Sequence, residues 1–452
     1  MEKRKGFSSS IGMIMATAGS AVGVGNIWRF PYILGEYGGA AFLIVYLLMV
    51  LVIGIPLMVT EMAIGRRGGE DAAKSFKKIA PGKKWYLSGL LGIIAAFIIL
   101  GYYTVVAGWT LKYIVNSLTN VFNSSITPEM TTTLFTDFVG SGVEPIIYTF
   151  VFMAATMFIV YKGIEAGIEK ASKILLPILV VILVVLAIRS LTLPGAYKGV
   201  EFLYKPDFRA LFEKKDAILV AMGHAFYSLS LGMGIIVTFG SYMSKEDDLA
   251  KTALKISIMD TLVALLAGFV IFPAVFSFGL EPSQGAGLVF ISLPNVFGNM
   301  PGGRIFATLF FVLLAFAALT STISLLEAVV SHLIDSRGMK RSHATLLSGF
   351  FICIICIFSS LSMGEHLGNF TIFGKNFFDF LDYITANIFL LVAAFIEVIF
   401  IGWFYKKEEF MDEITRSGAN KTALSSFVYF SVKYISPIVI LILFIANNGL
   451  LK

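Results

Sequence analysis

The sequence predicts an all-α polytopic membrane protein, and three observations carry the prediction. Only 14% of the residues are charged and 57% are hydrophobic, whereas a soluble chain carries roughly a quarter charged residues. Apolar stretches of about 18 or more residues, each long enough to cross about 30 Å of hydrocarbon, recur from end to end. Two of these stretches contain runs rich in glycine, GSAVGVG and SLSLGMG, where an uninterrupted helix is expected.

Eleven spans are expected, at 9–35, 39–66, 87–116, 145–161, 168–190, 216–245, 252–278, 302–335, 342–361, 376–405 and 426–449. The first is too long for a signal peptide, contains Arg29 and runs on into a second span without a small-residue cleavage site, so the amino terminus is expected to be retained. The longest connections are 117–144, 191–215 and 279–301; Pro and Gly in the last two suggest short helices and turns lying over the bundle. No appended soluble domain is expected, so residues 1–452 form one transmembrane domain.

Charge placement orients the chain. Of 35 Lys and Arg residues, 23 fall in the amino-terminal tail and alternate connections, chiefly 66–87, while 117–144 has none. By the positive-inside rule the amino terminus is cytoplasmic and the carboxyl terminus extracellular, in a multi-pass plasma-membrane protein. The formal charge of +6 is therefore a feature of topology and not a nucleic-acid footprint. The two cysteines, Cys353 and Cys356, lie in an apolar run without nearby metal ligands and read as packing residues.

The first span breaks at residues 19–25 and the sixth at 228–234. Breaks in the first span of each half are the sequence signature of an inverted-repeat transporter with its site at the bilayer midplane. Close helix packing through Gly19, Gly23, Gly232 and Gly234 is the competing explanation. Non-helical backbone at membrane depth needs partners, because each unsatisfied N–H or C=O costs several kcal/mol. Freed carbonyls suit a small hard cation and free N–H groups suit a carboxylate, so sodium with an amino-acid zwitterion would satisfy both. Polar side chains cluster accordingly: Asn26, Ser228 and Ser230 at the breaks, Thr320, Ser321 and Thr322 in span eight, and Asp260 in span seven. A carboxylate this deep meets a cation or a basic partner, and its own span offers only Lys255, at one end.

Several long motifs, in order, resemble the neurotransmitter:sodium symporter family, its bacterial amino-acid transporters in particular. They are GSAVGVGNIWRFPYILGEYGGAAFLIVY, GIPLMVTEMAIGRRGG, GYYTVVAGWTLKY, GIEKASKILLP, FYSLSLGMG, FAALTSTIS and FFDFLDYITANIF. The resemblance implies the leucine-transporter fold: five helices (about 9–190), five inverted helices (about 216–405), and one extra helix (about 426–449). It implies two sodium ions. The first would be held by the Ala21 carbonyl, the side chains of Asn26, Ser228 and Asp260, and the substrate carboxylate. The second would use carbonyls of Gly19, Val22 and Ala317 with the hydroxyls of Thr320 and Ser321. Asp260 stands where many relatives have Asn and use chloride, and Ala264 replaces a Ser ligand of that anion, although Tyr46 and Ser228 remain. Transport without a chloride requirement is the expectation.

The resemblance also outlines a substrate chamber. Its carboxylate clamp would be backbone N–H groups around Gly23, Val24 and Gly25 with the Tyr103 hydroxyl; carbonyls of Ala21 and Tyr227 would meet the amine. Ile99, Tyr227, Met233, Ser324 and Leu325 would form walls, with Ser20, Ser228, Ser230 and Ser321 beside them. Met233 replaces a pocket-closing Phe, and an adaptable thioether favours bulky hydrophobic or aromatic amino acids. Arg29 and Asp382 match an outer gate pair, with Tyr103 and Tyr227 as its lid. Arg4 and Asp335 match an inner latch supported by Ser241 and Tyr242, with Phe7 where Trp is usual. Glu61 would accept hydrogen bonds from backbone freed at the breaks; a snorkelling carboxylate is the alternative. His224 replaces a Gln and is either a neutral spacer, a partner of Asp260 or Arg29, or a proton exchanger.

The expected function is sodium-coupled amino-acid symport by alternating access. A sodium-gated channel, an amino-acid sensor and a proton-coupled permease are the alternatives. An enzyme is disfavoured, since no nucleophile with a base and no phosphate loop appears among the intramembrane polar residues. The partners are the amino acid and the bilayer, with no nucleic acid; both monomer and homodimer stay open.

Overall fold

The computed structural model describes residues 6–279, 288–419 and 422–449. Among them, nine helices are long and apolar enough to cross a membrane: Ala40–Gly68, Tyr86–Leu118, Val143–Tyr161, Ile164–Leu191, Leu249–Ser277, Gly303–Arg337, Arg341–Leu361, Phe377–Phe404 and Ala423–Asn447. A tenth is the bent pair Ser10–Ala21 and Gly25–Glu36. The expected eleven is therefore not reached by this measure. The segment expected at 216–245 folds as two pieces, Ala217–Ser228 and Ile235–Gly240, each too short to cross alone.

Local chemistry explains both interruptions. The helix Ser10–Ala21 starts at Ser9, whose hydroxyl accepts from the Gly12 N–H, and ends at Val22; the chain resumes at Gly25 with its axis turned by 49°. In the other break Ser230, Gly232 and Gly234 take φ of 55°, 74° and 69°, left-handed values that end a right-handed helix. A Cβ at Gly232 would lie 2.6 Å from the Leu390 carbonyl oxygen, so close approach also demands glycine there.

The two longest helices, Tyr86–Leu118 and Gly303–Arg337, pack along one another as the most extensive pair in the bundle. Ser10–Ala21 lies against the second of them. The second half of Ala40–Gly68 packs on Ile235–Gly240, where a Cβ at Gly65 would fall 1.9 Å from the Val237 carbonyl oxygen and one at Gly240 2.7 Å from that of Met62. Small residues let backbones approach in this way where lipid removes the hydrophobic incentive to associate. Large apolar side chains such as Ile147, Val181, Phe350 and Ile438 point outward, as a lipid-facing surface requires.

The expected short helices occur in the long connections, as Tyr197–Tyr204, Phe208–Glu213 and Leu288–Asn299, and a further one is Pro128–Gly140. A two-stranded hairpin pairs Thr371–Ile372 with Lys375–Asn376. At the end of the bundle that carries the amino terminus, Arg66 ties three segments together. It donates to Glu413 Oε1 at 2.5 Å, to the Glu413 carbonyl at 2.6 Å and to the Asp247 carbonyl at 2.7 Å.

The Gly65 contact generates a stability prediction. Gly65→Ala drives a methyl group into a backbone carbonyl and is expected to destabilise by about 1–3 kcal/mol. Gly223→Ala, where a Cβ meets nothing within 4 Å, should be neutral or stabilising. Thermal unfolding in one detergent compares the two, and equal midpoints would contradict the packing account.

Candidate functional site

The two breaks face each other and are stapled by serines. Ser20 donates its hydroxyl hydrogen to Ser230 Oγ at 3.1 Å, and Ser230 donates to the Ser20 carbonyl at 3.0 Å. Ser321, from Gly303–Arg337, also donates to the Ser20 carbonyl, at 3.3 Å. Glu61, fully buried in Ala40–Gly68, accepts from the Gly232 N–H at 2.8 Å through Oε1. This placement disposes of the snorkelling alternative.

A polar knot joins four spans. The Asn26 amide donates to Asp260 Oδ1 at 2.6 Å, to the Asp260 carbonyl at 3.2 Å and to Ser228 Oγ at 3.3 Å. Its own oxygen accepts from the Gly23 N–H at 3.0 Å. Ser228 donates to the Asp260 carboxylate, 2.9 and 3.0 Å from its two oxygens, and Tyr46 donates to Oδ2 at 3.1 Å. Asp260 is 0% exposed and makes no ion pair with Lys255 or any other base among the described residues. Its partners are all neutral.

A second set joins the first span to Gly303–Arg337. Thr320 Oγ1 lies 3.4 Å from the Val22 carbonyl and 3.0 Å from that of Ala317. A Cβ on Gly19 would come within 3.2 Å of Thr320 Cβ, which places Gly19 in the same group. Carbonyls and hydroxyls thus converge here, with no charged side chain among them.

Between the breaks lies a narrow chamber of about 30 Å³, tighter than an ordinary open ligand pocket. Of the residues expected around a substrate, Ser20, Ala21, Gly23, Gly25, Ile99, Tyr103, Tyr227, Ser228, Ser230, Met233, Ser321 and Leu325 line it, together with Asn26 and the unforeseen Ile235. Val24 and Ser324 do not. The Val24 N–H is spent on the Tyr103 hydroxyl at 3.2 Å, and the Ser324 hydroxyl donates along its own helix to the Thr320 carbonyl at 3.0 Å. A substituent at Gly23 would lie 2.7 Å from Ser321 Oγ, so only glycine leaves this wall open.

A second cavity adjoins it, lined by Val24, Gly25, Trp28, Arg29, Tyr32, Tyr102, Tyr103, Val106, Tyr227, Phe378 and Asp382. Tyr103, Tyr227 and Gly25 border both spaces and separate them. Arg29 and Asp382 share this cavity without an ion pair within 4 Å; the guanidinium instead lies 5.3 Å from the centroid of the Tyr227 ring.

At the amino-terminal end of the bundle, Arg4 falls outside the described residues. Asp335 accepts from the Asp71 N–H at 2.7 Å. Ser241 donates to the Thr238 carbonyl at 2.6 Å, and Phe7 sits edge-on to Tyr242 with centroids 6.0 Å apart. The Tyr242 hydroxyl donates to Glu327 Oε1 at 2.8 Å; Arg341 grips the same carboxylate through both oxygens, at 2.5 and 2.9 Å. Neither Glu327 nor Arg341 was expected, because a pair 14 residues apart across a helix end has no local pattern. Glu397, buried with Oε1 unpartnered, was also missed, although a lone acid in AAFIEVIF is a visible signal.

His224 is 1% exposed, and neither ring nitrogen has a hydrogen-bond partner among the described residues. It stacks on Phe30 and lies tilted against Tyr46, each 5.4 Å away between centroids, and pairs with neither Asp260 nor Arg29.

Comparison with known proteins agrees with this geometry. Residues 4–133 and 136–449 match the model of the sodium:neurotransmitter symporter family. An uncharacterized sodium-dependent transporter of Bacillus subtilis is 38% identical over 447 residues, spanning 99% of this chain and 98% of its own. Another, of Methanocaldococcus jannaschii, is 33% identical over 456 residues, covering 97% and 89%. Among solved structures, MhsT in complex with L-phenylalanine superposes with a TM-score of 0.90 at 44% identity, over 98% of this chain and 100% of that one. The chain is therefore a multi-pass membrane protein with the fold of MhsT, and it belongs to the sodium:neurotransmitter symporter family, a family of sodium-dependent transporters.

Proposed function

We propose that the protein is a sodium-coupled symporter for bulky hydrophobic or aromatic amino acids. One observation carries the reading: two helix breaks face one chamber, and the knot of Asn26, Ser228 and Asp260 adjoins it. Asp260 brings a negative charge with only neutral partners, and a monovalent cation is the simplest complement. A sodium ion there, on the Ala21 carbonyl and the three side chains, would take an oxygen of the substrate carboxylate as a further ligand. Neither ion nor substrate then completes the site alone, which is thermodynamic coupling. The group of Gly19, Val22, Ala317, Thr320 and Ser321 suits a second sodium that ties the first span to Gly303–Arg337.

The L-phenylalanine in MhsT supports an aromatic substrate, as does Met233, which lines the chamber here. The breaks at corresponding places support two inverted repeats, about 9–190 and 216–405, with 426–449 added. In this reading the amino terminus is cytoplasmic, Arg29 and Asp382 close the outside, and Asp335 with Arg4, Ser241 and Tyr242 closes the inside. Such ion pairs are weak enough when partly solvated to break in every cycle. Because Asp260 supplies a fixed charge, no chloride is required. Among Glu61, His224 and the gates, Glu61 has a static task, holding the Gly232 amide, and His224 acts as a neutral spacer between aromatic rings.

Three measurements follow. Proteoliposomes of the purified protein should accumulate labelled phenylalanine, tryptophan and tyrosine over alanine, and only under an inward sodium gradient; uptake on a proton gradient alone would point to a permease instead. Replacing chloride by gluconate should leave uptake unchanged in the wild type, whereas Asp260→Asn should lower it at least tenfold in gluconate; a wild type that needs chloride contradicts the role of Asp260. Met233→Phe should shift preference from phenylalanine towards leucine by about 10–200-fold, the range for modest size changes in an apolar pocket. An unchanged ratio of uptake efficiencies removes Met233 from the specificity account.

A further inference from the structure

The acid of the motif GIEKASKILLP has no part in the ion sites, the chamber or the gates, yet it accepts four hydrogen bonds at the amino-terminal end. Glu169 is 1% exposed. Its Oε2 accepts from the Ser8 N–H at 2.7 Å; Oε1 accepts from the Ser8 hydroxyl at 2.7 Å, the Ser9 hydroxyl at 3.0 Å and Lys173 Nζ at 2.5 Å. Lys173 also reaches Ser9 Oγ at 3.0 Å. Ser9 is the residue that caps Ser10–Ala21, so the same hydroxyl both starts that helix and binds the acid. The carboxylate lies flat on Gly12: a Cβ there would be 1.9 Å from Oε1, 2.2 Å from Cδ and 2.5 Å from Cγ.

The helix so held runs about 18 Å at 1.5 Å per residue from Ser10 to Ala21, where the break begins. Its far end carries the carbonyls of Gly19, Ala21 and Val22. The amino-terminal end of this helix cannot swing away from Ile164–Leu191 without releasing the pin.

We propose that Glu169 is a positioning residue: with Lys173 it clasps Ser8 and Ser9 into the notch at Gly12, and this clasp must open before the first helix can uncover the site towards the amino-terminal side. The inference rests on the symport reading for its functional consequence, but the clasp itself does not. Charge-assisted hydrogen bonds to a buried carboxylate are stronger than neutral ones, and one carboxylate gathers four donors here. The Ser10 hydroxyl, which donates to Asp247 Oδ1 at 2.6 Å, joins the same helix to the loop after Ile235–Gly240. That link leaves both broken spans free to move together while the clasp holds them to Ile164–Leu191.

The test uses Glu169→Ala, Gly12→Ala and the double variant in the full chain. Gly12→Ala leaves every clasp residue in place but occupies the notch, so it should displace the flexible Glu169 side chain and mimic Glu169→Ala. Once the glutamate is gone, the added methyl has room, and the double variant should be no worse than Glu169→Ala. Two readouts are taken: hydrogen exchange of amides 10–21 without ligand, and dissociation of phenylalanine in sodium. Each single variant should raise both several-fold, and the double should match Glu169→Ala. A silent Gly12→Ala, or effects that add in the double variant, would overturn the clasp. If the wild type binds no phenylalanine in sodium, the symport reading falls, while the exchange data still decide the clasp.

Discussion

The structure turns on one constraint: backbone opened at membrane depth must find partners other than water. In hydrocarbon an unpaired N–H or C=O costs several kcal/mol, so several of the groups freed at the two breaks recruit side chains. Glu61 takes the Gly232 amide, Tyr103 that of Val24 and Asn26 that of Gly23, while Ser230 and Ser321 share the Ser20 carbonyl. These partners come from separate helices, so the breaks also dictate how those helices assemble. Where the partners are hydroxyls and carbonyls without charge, a small cation can replace weak contacts with stronger ones, and the same gap that endangers the fold becomes a place to bind.

Asp260 adds the electrostatic half of that argument. Burying a carboxylate among neutral donors leaves its charge solvated by hydrogen bonds from Asn26, Ser228 and Tyr46 but not neutralised. In the proposed symport reading, a pocket built this way favours a cation over an empty state, and a substrate carboxylate over nothing once the cation is present. The order of these two dependences is what distinguishes a coupled carrier from a pore that passes sodium.

Much of this was legible in the sequence because membranes simplify the code. The apolar runs, the breaks at 19–25 and 228–234, and the polar residues beside them follow from a single rule about unpaired backbone, and the structure places Asn26, Ser228 and Asp260 in one knot. The count of eleven spans failed as a count of long helices because Ser230, Gly232 and Gly234 divide the sixth segment into pieces of 12 and 6 residues. Local pattern also gave no hint that Val24 would turn its N–H to Tyr103, or that Ser324 would bond its own helix. Contacts of long sequence separation, such as Tyr242 with Glu327 and Ser8 with Glu169, are set by how helices lie together, which no periodicity encodes. A resemblance to a family located roles; only the assembled chain shows which polar groups are spent on each other.

Reciprocal binding tests the central claim most directly. Phenylalanine affinity of the purified protein is titrated at several sodium concentrations, and sodium affinity at several phenylalanine concentrations. If the substrate carboxylate completes the ion site at Asn26, Ser228 and Asp260, each ligand strengthens the other by the same factor, as linkage requires, and Asp260→Ala abolishes that factor. Phenylalanine binding that is indifferent to sodium would contradict the account.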